Sequence, residues 1–497
     1  MFAAMEEEKL KMEKQRESND WNALERGNYN ALRNYKIKYP DSVHLDELDD
    51  LMWMNTRNAV SEPALRRYLS DWPVGNHAEE AIQALEKIGE WERVKRSNDL
   101  FTVDDYRDNH PDSLFKHEAD AKYYELREEE IKKMKANPSE YTKQDVDRLM
   151  EADIFKLQEL IDEGLMTGES WARLQDLNRD ALPDLQALQM EDPNIQAPMS
   201  CTDIYFFGMP GAGKTSLLMG LTSVDGDGYI WNMRKNGGRY AAVLHEYVRE
   251  GITPGPTYHR FVTVINGKVT ERIKRGKAVY HPINLVEMSG VELFVNMVDK
   301  KEISLADMVE GAINLLQNEN RKVFFILVDP TKLTLKINYL EDIRNAEGDL
   351  IGHNVRKKYI NQLDIMNKFV SLFELPENQA IMSKVDAIHF IVTKADMLGD
   401  ESTRLDKARE LLISRYQGPI EQLKNYCRKT KRINFFTNYQ PQIYTFSLGR
   451  FYLGNIFDFD KTEALQLVDA IRKITSGIKE ISWWDRFMEM ISRGLNK

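Results

Sequence analysis

An α/β protein with a doubly wound, mostly parallel sheet, carried behind an all-α N-terminal region, is the fold class that three observations in this sequence predict. The apolar run Ile204-Tyr-Phe-Phe207, the glycine-rich Gly208-Met-Pro-Gly-Ala-Gly-Lys-Thr215 and the helical Ser216-Leu-Leu-Met-Gly-Leu221 follow one another directly, as strand, loop and helix. Apolar strand runs and helical periodicities then alternate to about residue 476, the pattern of a parallel sheet wrapped by helices. Residues 1–136 carry instead a weak internal repeat of helical period.

The repeat has three copies. Leu32-x-x-Tyr35-x-x-x-Tyr39-Pro40, Leu65-x-x-Tyr68-x-x-x-Trp72-Pro73 and Val103-x-x-Tyr106-x-x-x-His110-Pro111 align, with prolines 33 and 38 residues apart. Each reads as an amphipathic helix stopped by a proline that cannot continue it, followed by a second helix. A helical pair of this length buries its apolar face only by stacking on a neighbour. The stretch resembles bacterial tetratricopeptide-like helical-hairpin repeats, which implies a scaffold that binds protein partners. His44 and His77 hold a place that Phe115 fills in the third copy, so they read as packing residues rather than ligands.

Residues 137–197 read as a helical connector, in which Gly164 suits a helix C-cap and Thr167 or Ser170 an N-cap. Asp192-Pro-Asn-Ile-Gln-Ala-Pro198 breaks periodicity and marks the start of the α/β domain, residues 198–477. Beyond the glycine-rich loop, Asp225-Gly-Asp-Gly228 imitates half of a calcium-binding loop. Ser223 and Arg234 stand where its first and last acidic ligands belong, so a glycine-rich surface loop is expected. Residues 238–250 form a helix. Residues 260–265 and 269–273 alternate around Asn266-Gly267, which predicts a β-hairpin.

Composition bounds the function. The net charge of −11 argues against a nucleic-acid binder, and the basic Arg428-Lys-Thr-Lys-Arg432 reads as a solvated turn. Two cysteines, Cys201 and Cys427, lack metal-ligand spacing and point to a reducing, cytoplasmic setting. No signal peptide or membrane span is expected, since no run approaches eighteen apolar residues. Residues 478–497 form a C-terminal amphipathic helix that packs back on a domain or docks on a membrane surface or partner through 482–495. A homo-oligomer is compatible with all of this.

The chemistry starts at the glycine-rich loop. A G-x-x-x-x-G-K-[ST] sequence between strand and helix wraps a diphosphate with successive backbone N–H groups. Gly208, Gly211 and Gly213 would let the backbone approach, Lys214 would reach the β- and γ-phosphates, and Thr215, followed by Ser216, would offer a hydroxyl to Mg²⁺. Asn284-Leu-Val-Glu287-Met-Ser-Gly290 sets a carboxylate at a strand end with a glycine three residues on. Phe324-Phe-Ile-Leu-Val-Asp329 is a second strand ending in a carboxylate. Ile388-His-Phe-Ile-Val392 delivers Thr393-Lys394-Ala-Asp396, where an Asp can accept both N1–H and N2–H of guanine. Gln442-Ile-Tyr-Thr-Phe-Ser447-Leu448-Gly449 ends the series.

In this order, over about residues 200–476, these segments resemble the Ras-like GTPases of the P-loop NTPase class. The resemblance implies GTP or GDP as ligand and Mg²⁺ as cofactor. It implies that Lys394 packs on guanine and Asp396 reads it, with Thr393 in place of the usual Asn, and that Ser447 and Leu448 back the base. Glu287, in place of an Asp, would hold Mg²⁺, and the Gly290 N–H would meet the γ-phosphate. Thr253 or Thr257 would be the switch threonine on Mg²⁺; spacing does not choose between them, and both also suit turns beside proline. Val291 stands where the family places a water-orienting Gln, and Glu292 is the polar residue beside it, so slow hydrolysis is expected. Asp329 equally satisfies the Walker B description of ATPases. An ATPase and a nucleotide-binding scaffold without turnover are therefore the alternatives to a GTPase switch.

Overall fold

The computed structural model describes residues 2–59, 61–177, 182–190, 192–224, 229–231, 237–254, 257, 261–272, 278–290, 310–344, 350–429 and 441–477. The chain divides into two compact units, Met1–Lys133 with Ala152–Ile154, and Met134–Glu151 with Phe155–Lys497.

The first unit is helical: α1 (Phe2–Asn22), α2 (Tyr29–Lys38), α3 (Leu45–Ala59), α4 (Glu62–Asp71), α5 (Ala78–Ser97), α6 (Leu100–Asn109) and α7 (Lys116–Ala136), whose last residues belong to the second unit. Proline removes the residue before it from the helical region. Accordingly α2, α4 and α6 end at Tyr39, Trp72 and His110, with φ/ψ of −130/71, −132/70 and −128/57 degrees. Each of these residues donates its N–H to the carbonyl of Tyr35, Tyr68 or Tyr106, at 2.8, 2.7 and 3.0 Å.

A tryptophan from the helix before each copy completes the repeat. Trp21, Trp53 and Trp91 lie 5.2, 5.3 and 5.2 Å from the rings of Tyr35, Tyr68 and Tyr106. Each also stacks near-parallel on His44, His77 or Phe115, at 4.3, 5.5 and 6.1 Å. The histidines thus occupy the packing place of Phe115.

The tyrosine hydroxyls also need partners, being at least partly buried. Tyr35 and Tyr106 pair with Ser42 and Ser113 at 3.2 and 2.8 Å. The second copy has Gly75 at that position, and Tyr68 donates to Asp49 of the copy before. The other Asp49 oxygen accepts the Asn76 N–H at 2.7 Å. A Cβ on Gly75 would lie 2.6 Å from that carboxylate.

The second unit begins with α8 (Lys143–Glu151), α9 (Leu157–Asp162) and α10 (Gly168–Asp176). Thr167 caps α10 by accepting the Ser170 N–H at 3.0 Å, and Gly164 takes a left-handed φ of +74°. This stretch is more than a linker: Arg173 donates to the Phe457 carbonyl at 3.2 Å and Leu453 N–H to the Leu165 carbonyl at 3.3 Å. The division between units accordingly falls upstream of the proline-rich stretch at residues 192–198.

There follow β1 (Thr202–Phe207), α11 (Lys214–Ser223), β2 (Tyr229–Trp231), α12 (Gly238–Glu250), β3 (Val262–Arg272), β4 (Ala278–Met288), α13 (Glu310–Gln317) and β5 (Arg321–Val328). The chain continues through β6 (Thr334–Arg344), β7 (Leu350–Asn361), α14 (Gln362–Leu372), α15 (Gln379–Met382), β8 (Val385–Thr393) and α16 (Glu401–Lys429). It ends in β9 (Ile443–Phe446), β10 (Gly449–Tyr452), β11 (Ile456–Phe459) and α17 (Thr462–Gly477).

Seven strands form one sheet in the order β2-β3-β4-β1-β5-β8-β9, while β6-β7 and β10-β11 are separate antiparallel ribbons. β4, β1, β5, β8 and β9 are parallel, and β3 and β2 add antiparallel pairs at one edge. β1, β5 and β8 are buried almost throughout, which is why they read as continuous apolar runs. Tyr205 and Phe207 pack toward α13 and α14: the Tyr205 hydroxyl donates to the Leu315 carbonyl at 2.8 Å, and Phe207 lies 4.8 Å from Phe369. Gly220 lets α11 close on Phe446, whose ring would lie 2.7 Å from a Cβ there.

Asn266-Gly267 is not a hairpin turn. It lies inside the continuous β3, paired to Asn284 and Ile283 of β4 and, at Gly267, to Trp231 of β2. Asn266 belongs to a buried polar network rather than to a turn. Its Nδ2 donates to Asn284 Oδ1 at 2.9 Å, while Asp203 accepts from Asn284, Asn318 and Asn320 at 2.6, 2.7 and 2.9 Å. Arg428 and Lys429 of the expected basic turn end α16, while the rest of it, the expected surface loop at residues 225–228 and the expected C-terminal helix at 478–497 lie outside the described residues.

The Gly75 position gives a test. Gly75→Ser copies the other two repeats yet should lower the stability of the helical unit by about 1–3 kcal/mol, the usual cost of overpacking. Adding Asp49→Ala vacates the space and lets the introduced hydroxyl serve Tyr68, so the double variant should be less damaged than the sum of the singles. Urea unfolding followed by tryptophan fluorescence measures this; strictly additive costs would refute the substitution of Asp49 for a serine.

Candidate functional site

Because five strands run parallel, the carboxyl ends of β1, β4, β5, β8 and β9 share one edge of the sheet, where α/β proteins hold ligands. β1 delivers the glycine-rich loop there. Gly211 and Gly213 adopt left-handed φ of +77° and +82°, a backbone course that forms anion-binding nests. Lys214 opens α11, and its Nζ donates to the carbonyls of Gly208 and Met209 at 2.8 and 3.1 Å. Burial pushes its ammonium down to about 8, against the upward pull of Glu287.

β4 brings a carboxylate to the same loop. Thr215 donates its hydroxyl to Glu287 Oε1 and lies 2.9 Å from the Thr257 hydroxyl. Glu287 is fully buried, and its Oε2 has no hydrogen-bond partner among the described residues. Burial pushes its carboxyl up, with Thr215, Tyr240 and Lys214 pulling back. Gly290 closes the far side: a Cβ there would lie 2.5 Å from the Gly208 carbonyl and 2.6 Å from Lys214 Nζ. A cavity of about 240 Å³ results, lined by Gly211, Gly213, Lys214, Thr215, Ser216, Thr257 and Gly290 among others.

Two hydroxyls and one carboxylate with a free buried oxygen form a hard-oxygen donor set. Such a set suits Mg²⁺, which keeps several waters and completes its octahedron with phosphate oxygens. Of the two threonines considered, the structure brings Thr257 to this set. Thr253 lies elsewhere, since Gly251 and Ile252 are tied to β11 and the Thr253 N–H donates to the Asn455 carbonyl at 3.3 Å. Thr253 instead lines the adjoining cavity beside Gly211, Gly213 and Ser216.

A second cavity of about 300 Å³ shares Gly211, Gly213 and Ser216 with the first and extends to Thr393, Lys394, Asp396, Ser447, Leu448 and Thr253. Thr393, at the end of β8, donates to the carbonyls of Ala212 and Val328 at 2.8 and 3.2 Å. The glycine-rich loop is therefore tethered to β8 and β5 by threonine, with no asparagine needed. Lys394 sits in the left-handed region at φ +50°, an uncommon conformation for a non-glycine residue, and pairs with Asp329 at 2.7 Å. Asp396 Oδ1 is buried without a hydrogen-bond partner among the described residues. Burial raises that carboxyl, opposed by its own backbone N–H, Arg404, Ser447 and Lys394.

Asp329 lies outside the Thr215 cluster. Its Oδ1 accepts the N–H and hydroxyl of Thr331 at 2.8 and 2.6 Å, and its Oδ2 meets Lys394. Val291 and Glu292 lie outside the described residues. Residues 136–140 with Thr331, Lys332 and Phe451, which complete much of the wall of the second cavity, carried no sequence signal because they come from three distant segments. No family model matches the chain, and no curated protein matches it significantly.

The tether can be cut without changing shape. Thr393→Val leaves the Ala212 carbonyl without its hydroxyl donor and should cost about 1–3 kcal/mol. Amide hydrogen exchange at residues 211–214 should quicken in a protein that stays folded. Unchanged exchange there would show that the loop is held by other means.

Proposed function

We propose that this protein is a Mg²⁺-dependent, GTP-binding switch of the Ras-like P-loop class that hydrolyses GTP slowly and engages protein partners through its N-terminal helical repeats. The observation that carries the reading is the unpaired, buried Asp396 oxygen in a cavity continuous with the glycine-rich loop. A carboxylate so placed can take both hydrogens of guanine's N1 and N2, and adenine offers no such pair. The phosphates would lie on Gly208, Gly211, Gly213, Lys214, Thr215 and Ser216, with Mg²⁺ held by Thr215, Glu287 and Thr257. Lys394, Ser447 and Leu448 would enclose the base.

The ATPase alternative needs Asp329 at the metal. Asp329 accepts from Thr331 and ion-pairs with Lys394, whereas Glu287 touches Thr215, which favours the GTPase reading. A scaffold without turnover remains the competitor that rate measurement decides.

Asp396→Asn turns an acceptor into a donor that faces guanine's own donors. GTP affinity should fall by about 10²-fold or more, and xanthosine triphosphate, with a carbonyl in place of the amine, should recover much of it. Titration of both nucleotides into both proteins checks this, and equal ATP and GTP affinity in the unmutated protein would sink the guanine reading.

Hydrolysis is expected on the order of 10⁻⁴ s⁻¹, the unassisted rate of Ras-like enzymes, or below, because Val291 cannot orient water. Single-turnover assays across a protein concentration series measure it. Fast hydrolysis that survives dilution, Val291→Ala and Glu292→Gln would point to other catalytic machinery, and a rate of zero to the scaffold.

A further inference from the structure

The second cavity has a wall that belongs to none of the loops at the sheet edge. Residues 136–140, more than fifty residues before β1, line it together with Lys332 and Phe451. The wall is a single 3₁₀ turn, Pro138–Glu140, with Pro138 fixing its first residue and the Glu140 N–H donating to the Asn137 carbonyl at 3.0 Å. It packs against β10, the ribbon strand that follows Ser447 and Leu448. Glu140 pairs with Lys332 at 2.6 Å, both residues lining the cavity, and Lys332 lies three residues beyond Asp329. The turn is thus fastened to the strand-end loops on both sides.

A nucleotide whose phosphates lie on Gly213–Ser216 and whose base meets Asp396 must carry its sugar through the space between them. We infer that the turn at residues 137–140 is the ribose-side wall of the nucleotide cavity, and that the Glu140–Lys332 ion pair holds it shut and slows nucleotide release. Asn137 and Ser139 supply the amide and hydroxyl chemistry that suits ribose hydroxyls. The inference rests on the GTP-binding reading above and adds to it a retention element from outside the α/β segment.

The test is release of radiolabelled GDP, whose ribose is unmodified, from the full-length protein into excess unlabelled GDP. Glu140→Lys sets two like charges together and should speed release roughly five- to tenfold. Glu140→Ala should speed it roughly two- to fivefold, the scale of a half-exposed pair. The reversed pair, Glu140→Lys with Lys332→Glu, should return release to within about twofold of the unmutated protein, which general damage to the fold would not do. Unchanged release in Glu140→Lys that binds GDP normally, or no recovery in the reversed pair, overturns the wall and leaves the GTP reading standing. Failure of the unmutated protein to hold GDP overturns both.

Discussion

The site depends on one hydroxyl at the end of a central strand. The single Thr393 hydroxyl proton is shared between the carbonyls of Ala212, in the glycine-rich loop, and Val328, at the end of β5, so the loop is held to the ends of β8 and β5. Gly290 approaches from β4 so closely that no side chain fits there. Between these two contacts the loop has no freedom to collapse. Lys214 spans its mouth, holding two backbone carbonyls with an ammonium whose protonation burial disfavours. That is a poised arrangement: an anion entering the loop competes for an ammonium that has lost its solvation and would regain a charged partner.

On the proposed reading, a single edge of the sheet would separate two recognition tasks. Toward β4 lie the hydroxyls of Thr215 and Thr257 with Glu287, which suit a hard cation. Toward β8 and β9 lie Lys394, Asp396 and Ser447, which suit a planar hydrogen-bonding ring. The opposite end of the same strands carries the Asp203–Asn284–Asn320 network, satisfied throughout and sealed by the Pro198 carbonyl, which accepts from Asn284 and Asn320 at 3.1 and 2.9 Å. Polar groups that are fully paired rigidify one end, and polar atoms left without partners mark the other.

The helical unit uses a different economy of parts. Each tryptophan is gripped by a tyrosine and a His or Phe, and each tyrosine hydroxyl finds an oxygen. Where glycine removes the serine, Asp49 reaches across from the preceding copy, so the repeat tolerates a missing group because its neighbour supplies one. The three tryptophans, 32 and 38 residues apart, were visible as a second repeat signal beside the prolines.

Sequence alone determined the elements whose signals are local. Proline stops fixed the helix ends at Tyr39, Trp72 and His110, since the restriction acts on the adjacent residue. Apolar runs marked β1, β5 and β8, since strands buried on both faces are mostly apolar. The chemical inventory of the loop, from Gly208 to Ser216, was legible for the same reason. Tertiary structure alone decided what depends on distance through space. It set the Thr257 hydroxyl beside Thr215 and tied the backbone at Gly251 and Ile252 to β11, a pairing across two hundred residues. It moved Asn266 from a turn into a strand, because a buried partner on β4 outweighs a local turn preference. It engaged Asp329 with Lys394 and brought residues 137–140 to the cavity wall, and no periodicity or spacing carries either contact.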